Sequence, residues 1–233
     1  MEKTPEENQV IFKILYWGMA GSGKTTALNT LYRFTQENET EILPKSPVKS
    51  VSKKDGATLY FDRAIFQSRK NNNILIQIFT VAGQKQFYPL REQVLEGTNG
   101  IIYVVDSQKQ LLEDNIDALK ELKKATKGAL IKKIPLIVML NKKDLKGTIK
   151  RNKMIEILKN EGLWYDPPHK LAPWTPIVFE TCALYKKRKN TYRSLLECLR
   201  RTIFYHLFGE DDEAPTNDDL FRKFFEKKSK KSH

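Results

Sequence analysis

The chain has 233 residues, 40% of them hydrophobic and 30% charged, with 41 Lys+Arg against 28 Asp+Glu and a net charge of +13. That length accommodates one α/β domain with a sizeable core and some extra sequence, and the apolar fraction excludes a largely disordered chain. The longest apolar runs, 101–105 and 135–140, are strand-length and fall short of the roughly 20 residues that a membrane-spanning helix needs.

Residues 1–7 have no apolar stretch and read as neither signal nor transit peptide, and no lipidation pattern is visible. Cys182 and Cys198 are too few for a disulfide framework. The expectation is a soluble cytoplasmic protein. The charge excess lies before residue 209, because 209–233 holds six basic and seven acidic side chains. Its clusters fall at Lys120–Lys133, Lys142–Lys153 and Lys186–Arg201. A solvated surface and a surface for an anionic partner are both consistent with them.

In chain order, residues 1–9 are an N-terminal extension. Ile11–Tyr16 is a buried-strand run, broken by 18–23, after which Leu28, Leu31 and Tyr32 recur at helix spacing. Glu37–Ala57 is polar and interrupted by Pro44, Pro47 and Gly56, so it reads as a long loop. Thr58–Phe66 and Ile74–Thr80 form a hairpin pair around 68–73. Ile101–Val105 and Leu136–Leu140 are continuous apolar strands, the pattern of a parallel sheet covered on both faces. Helices are expected at Leu111–Thr126 and Ile149–Glu161, then a short strand at Ile177–Phe179 and an amphipathic helix at Thr191–Phe208. This order predicts a doubly wound α/β domain over 10–208, with a mostly parallel six-stranded sheet, one antiparallel strand and helices on both faces. Residues 209–217 read as an acidic linker. Beyond it Leu220, Phe221, Phe224 and Phe225 recur at helix spacing among lysines, so 218–233 reads as a short amphipathic basic tail.

Gly18-Met19-Ala20-Gly21-Ser22-Gly23-Lys24-Thr25 fits the phosphate-loop pattern and lies between a strand and a helix. Its glycines let backbone N–H groups converge on phosphate oxygens, and the helix N-terminus adds positive potential. Lys24 reaches the β- and γ-phosphates, and the Thr25 hydroxyl binds Mg²⁺. Asn141-Lys142-Lys143-Asp144 directly follows an apolar strand. The Asp144 carboxylate can accept two parallel hydrogen bonds from guanine, a donor pair that adenine lacks. Lys142 would lie over the base, and Asn141 would tie the segment to the phosphate loop. GTP or GDP with Mg²⁺ is the ligand this combination specifies. No Cys or His cluster has metal-ligand spacing, and His169, His206 and His233 are scattered.

On these residues 10–208 resembles a small GTPase with a P-loop NTPase G domain, and within that class the MglA-type polarity GTPases of bacteria and their archaeal relatives. Further carriers are Phe12–Gly18, Thr58-Leu59-Tyr60-Phe61-Asp62 and Thr80-Val81-Ala82-Gly83-Gln84, with threonine at 80 where most small GTPases have aspartate. The resemblance implies that Thr58 joins Mg²⁺ and senses the γ-phosphate, and that Gln84 orients the attacking water. It also implies that Cys182-Ala183-Leu184 contacts guanine through its backbone. The nucleotide-binding set then comprises Gly18, Ala20, Gly21, Ser22, Gly23, Lys24, Thr25, Thr26, Gly83, Asn141, Lys142, Asp144, Cys182, Ala183 and Leu184, and the metal set Thr25, Thr58 and Asp62. Asp62 shares a strand face with Thr58 and Tyr60 and is read as supplying the carboxylate missing at Thr80.

Two departures bear on turnover. MglA-type proteins resemble one another in an arginine just before the switch I threonine, where this chain has Ala57, and Ala20 stands where many relatives have glycine. An arginine finger contributes on the order of 10³–10⁵ in rate. The expectation is a GTP-dependent switch with slow intrinsic hydrolysis, activating and exchange partners, and an effector at the switch regions. The alternative is a GTP-binding scaffold that does not hydrolyse. The tail is a candidate for peripheral membrane contact, and no nucleic-acid partner is expected.

Overall fold

β1 (Val10–Trp17) runs through the middle of the domain, and its last four side chains, Ile14, Leu15, Tyr16 and Trp17, are fully buried. The computed structural model describes residues 9–51, 61–83, 87–209 and 214–216. α1 (Lys24–Glu37) follows β1 and leads to β2 (Ile42–Val51). β3 (Phe61–Ser68) and β4 (Ile74–Val81) form the expected hairpin, and then come α2 (Tyr88–Leu95) and β5 (Gly100–Asp106). α3 (Leu112–Ala125), β6 (Leu136–Asn141), α4 (Arg151–Asn160), β7 (Ile177–Glu180) and α5 (Lys189–Phe208) complete the order.

The sheet order is β2-β3-β4-β1-β5-β6-β7. β1 pairs in parallel with β4 and β5, β5 with β6 and β6 with β7, whereas β3 is antiparallel to both β2 and β4. One antiparallel strand in a mostly parallel sheet is the predicted architecture, with a correction: the sheet has seven strands. The seventh is β2, inside the stretch expected to be a loop. Pro44 and Pro47 suggested a break, but β2 is an edge strand, where a missing N–H costs no ladder bond. Its register with β3 shifts between Pro44 and Ser46 and again between Ser46 and Lys49. The exposed Lys45, Pro47 and Lys49 discourage another chain from pairing there.

Alternate residues of the central strands feed two cores. Leu15, Trp17, Ile101, Tyr103, Val105, Val138 and Leu140 pack with α2, α3 and α4. Ile14, Tyr16, Ile102, Val104, Ile137 and Met139 face Leu28 and Leu31 of α1 and Leu195 and Leu199 of α5. Each fully buried aliphatic side chain contributes roughly 1.5–3 kcal/mol, and that two-sided burial is why these strands show no polar alternation. The Trp17 indole N–H also donates to the carbonyl of Ala118 at 2.9 Å, fastening β1 to α3.

Because β1, β5, β6 and β7 run the same way, the loops that follow them leave from one edge of the sheet, the position where open α/β sheets bind ligands. At the opposite edge, Trp174 precedes β7 and donates its indole N–H to Pro215 O at 2.7 Å. Ala214 and Pro215, in the stretch read as a linker, are buried there, and the Ala214 N–H donates to Lys132 O.

Gly100 opens β5 under α5, where an added Cβ would lie 2.4 Å from Thr202 Oγ1 and 3.0 Å from Cys198 Sγ. Gly100→Val is expected to lower unfolding stability by about 1–3 kcal/mol, the usual cost of overpacking. Urea denaturation checks this, and a midpoint equal to wild type would refute the close contact.

Candidate functional site

α1 begins directly after the phosphate loop with Gly23 as its N-cap, in the left-handed region at φ 100°. Its first turn has no side-chain cap and no acidic residue, which leaves backbone N–H groups and the positive helix end available to an anion. A side chain at 23 is also excluded sterically, because its Cβ would lie 2.3 Å from Asn141 Nδ2.

Lys24, 6% exposed, donates through Nζ to the carbonyls of Gly18 and Met19 at 2.8 and 2.7 Å. Burial and the charge of Arg91 pull its ammonium down to about 7, against a smaller opposing effect of Asp62. Arg91 itself is buried in α2, ion-paired with Glu121 and 5.5 Å from the Trp17 ring centre. Nothing in the sequence marked it, and no helix was expected over its position.

Asn141 ends β6 and is 1% exposed. Its Nδ2 donates to Ser22 O at 2.8 Å, and its Oδ1 accepts from Ala183 N at 2.9 Å and Thr181 Oγ1 at 3.3 Å. Thr30 of α1 donates to Ala183 O at 2.6 Å. The phosphate loop, the segment after β6 and the segment after β7 are therefore held together. Lys142 takes a left-handed φ of 62° and pairs with the fully buried Asp106 at 2.6 Å. Asp106 closes the apolar strand β5, a position that could have marked it in the sequence. Asp144 is exposed and lies beside the Cys182 thiol. Its interaction with the thiol holds the Asp144 carboxyl below its usual range, while burial and that interaction push the thiol up. A cavity of about 160 Å³ opens between these segments, lined by Gly23, Thr26, Asn141, Asp144, Ala183 and Leu184 among others.

A third group surrounds Asp62 on β3. Thr25 Oγ1 donates to Asp62 Oδ2 at 2.6 Å, and Thr80 Oγ1 donates to the same oxygen at 2.9 Å. Ser50 of β2 donates to Oδ1 at 2.7 Å. Nothing in the sequence marked Ser50. Gly83 lies so close to the phosphate loop that a Cβ there would be 2.1 Å from Ala20 N. Thr58, Gln84 and Ala57 lie outside the described residues. Among the described residues no cluster of three or more His, Cys, Asp or Glu side chains could cage a metal. Thr25 and Asp62 are hard oxygen donors, which fits Mg²⁺, a cation commonly held by one or two carboxylates together with phosphates.

Comparison with known proteins converges on the same class. The ADP-ribosylation factor family (Arf) matches residues 2–202. The mutual gliding-motility protein MglA of Myxococcus xanthus (strain DK1622) is 30% identical over 174 residues, covering 72% of this chain and 85% of that protein. ADP-ribosylation factor-like protein 2 of Drosophila melanogaster is 28% identical over 151 residues, 65% of this chain and 71% of that protein. ADP-ribosylation factor-like protein 3 of Chlamydomonas reinhardtii is 31% identical over 150 residues, 63% of this chain and 71% of that protein. With a P-loop fold and a family match over most of its length, the chain belongs to the ADP-ribosylation factor family of small GTPases.

Proposed function

We propose that the chain is a GTP/GDP switch with slow intrinsic hydrolysis, accelerated by a partner and read by an effector at its switch regions. The observation that carries this reading is the Asn141 side chain, which joins Ser22 of the phosphate loop to Ala183 beside the base cavity. Gly18, Ala20, Gly21, Ser22 and Gly23 present backbone to the phosphates, and Thr26 adjoins the base cavity. Lys24 exchanges its two carbonyl partners for β- and γ-phosphate oxygens. Asp144 receives the guanine donors, with the Cys182 thiol beside its carboxylate. Ala183 and Leu184 border the base, and Lys142, held by Asp106, flanks it.

Thr25 and Asp62, with Thr58, would hold Mg²⁺, whose charge would offset that of the phosphates. Asp62 stands in for the aspartate absent at 80. In our reading Gln84 orients the attacking water and Gly83 brings that segment onto the phosphate loop. Ala57 supplies no charge to the transferring group, which is the basis for slow turnover and for an activating partner. It also motivates the second reading, a GTP-binding scaffold without hydrolysis.

No described helix is long and apolar enough to cross a membrane. We place peripheral membrane contact, where it occurs, in the basic Phe-rich stretch 218–233. Residues 218–233 lie outside the described residues.

Three outcomes are expected. Asp144→Asn should weaken GDP binding at least about 100-fold without creating ATP binding, because the donor pair of guanine loses its charged acceptor; equal GDP affinity by calorimetry would refute the base contact. In single-turnover assays the wild type should hydrolyse GTP slowly and Gln84→Leu more slowly still, at nearly unchanged GTP affinity. Equal rates would remove Gln84 from the mechanism, and no turnover in either, with or without a partner, would favour the scaffold. Truncation after Thr216, which keeps the docked segment, should reduce binding to vesicles rich in anionic lipid, and unchanged sedimentation would dismiss the tail as an anchor.

A further inference from the structure

We infer that Ser50 is a positioning residue for the Asp62 carboxylate, and that the edge strand β2 is thereby part of the metal site. This rests on the reading of Asp62 as the carboxylate of the Mg²⁺ site. Ser50, Asp62 and Thr80 lie directly opposite one another across β2, β3 and β4. Directly opposed residues share a face of the sheet and have side chains within contact distance. The three side chains thus form one row, and Thr25 of the phosphate loop meets its middle member, Asp62.

The bonds along this row are unequal. Oδ2 of Asp62 accepts from Thr25 at 2.6 Å and from Thr80 at 2.9 Å, while Oδ1 accepts from Ser50 at 2.7 Å. A carboxylate rotates readily about its last bond, whose torsional preference is broad and two-fold. With Oδ1 tied to β2, the carboxylate plane is set and Oδ2 stays turned toward Thr25. Without that tie, the two remaining donors, Thr25 and Thr80, both act on Oδ2 and leave Oδ1 free to swing.

The irregular pairing of β2 supports this role. Its register shifts twice, between Pro44 and Ser46 and between Ser46 and Lys49, and then runs regularly through Lys49↔Arg63, Ser50↔Asp62 and Val51↔Phe61. Irregularities of this kind re-aim side chains. The second one returns β2 to register immediately before Ser50, so the pairing that survives is the one that places its hydroxyl on Asp62. Ser50 is exposed and contributes no apolar burial, which leaves orientation of the carboxylate as its visible role.

Partners that orient a metal ligand typically change metal affinity 10–100-fold when removed. The test uses the full chain loaded with a fluorescent GDP analogue, whose release rate is followed while Mg²⁺ is titrated. Ser50→Ala should raise the Mg²⁺ concentration that half-maximally slows release by about 10-fold, leave release in excess chelator unchanged, and be rescued by Ser50→Thr. An unchanged Mg²⁺ midpoint in Ser50→Ala, or equal shifts in the Ala and Thr variants, would overturn the inference. Asp62→Asn separates the two layers. If it shifts the midpoint and Ser50→Ala does not, Ser50 alone is at fault. If it does not, the reading of Asp62 falls and the role of Ser50 with it.

Discussion

The carboxamide of Asn141 connects parts of the chain 119, 42 and 40 residues apart, at Ser22, Ala183 and Thr181. It is almost wholly buried, so each of its polar atoms must find a protein partner, and leaving one unmade would cost about 1–3 kcal/mol. The absence of a side chain at Gly23 makes room for it, and Thr30 adds a second tie from α1 to Ala183. Three loops that leave the same edge of the sheet are thus held at fixed separations. The distance between the phosphate loop and the Asp144 segment is a property of this joint more than of any loop.

Buried charge is the second theme. Lys24 and Arg91 are nearly inaccessible, and burial together with the charge of Arg91 disfavours the charged form of Lys24. Burial of a charge is costly unless an opposite charge or strong hydrogen bonds compensate. Arg91 has Glu121, and Lys24 has two carbonyls. In the proposed reading, a polyanion entering the loop relieves that tension. Asp106 shows the same logic with the opposite sign, since it is fully buried and answered by Lys142.

The side proposed to hold the metal is organised across strands instead of along a loop. Threonine at 80 removes a carboxylate from β4, and the cross-strand neighbour of that position on β3 is Asp62. Moving the acid by one strand keeps it 2.6 Å from Thr25, because directly opposed residues stand only about 4.5–5.5 Å apart. The displaced acid now lies next to β2 as well, which brings Ser50 within reach. The additional edge strand and the displaced acid are therefore parts of one arrangement.

Much of this was legible in the residues alone. The apolar runs at 101–105 and 136–140 and the eight residues from Gly18 to Thr25 are local patterns, whereas the run Asn141–Asp144 took its meaning from the strand before it and from the phosphate loop in the same chain. The order of the other strands and helices followed from the same periodicities, while β2 and α2 were not read as elements. Other features depend on partners remote in sequence and left no local trace. β2 looked like a loop because its prolines break internal strands, and only its place at the sheet edge makes them harmless. Ser50 and Arg91 look like ordinary surface residues until the register of β2 and the packing of α2 assign them a carboxylate and a buried ion pair. Residues 214–216 looked like linker until Trp174 offered Pro215 a hydrogen bond. Sequence by itself determined which segments curl, alternate or carry a motif, because those properties are set by neighbours within a few residues. The tertiary structure decided which polar groups meet, because a buried hydrogen bond exists only once the sheet has brought its two ends together.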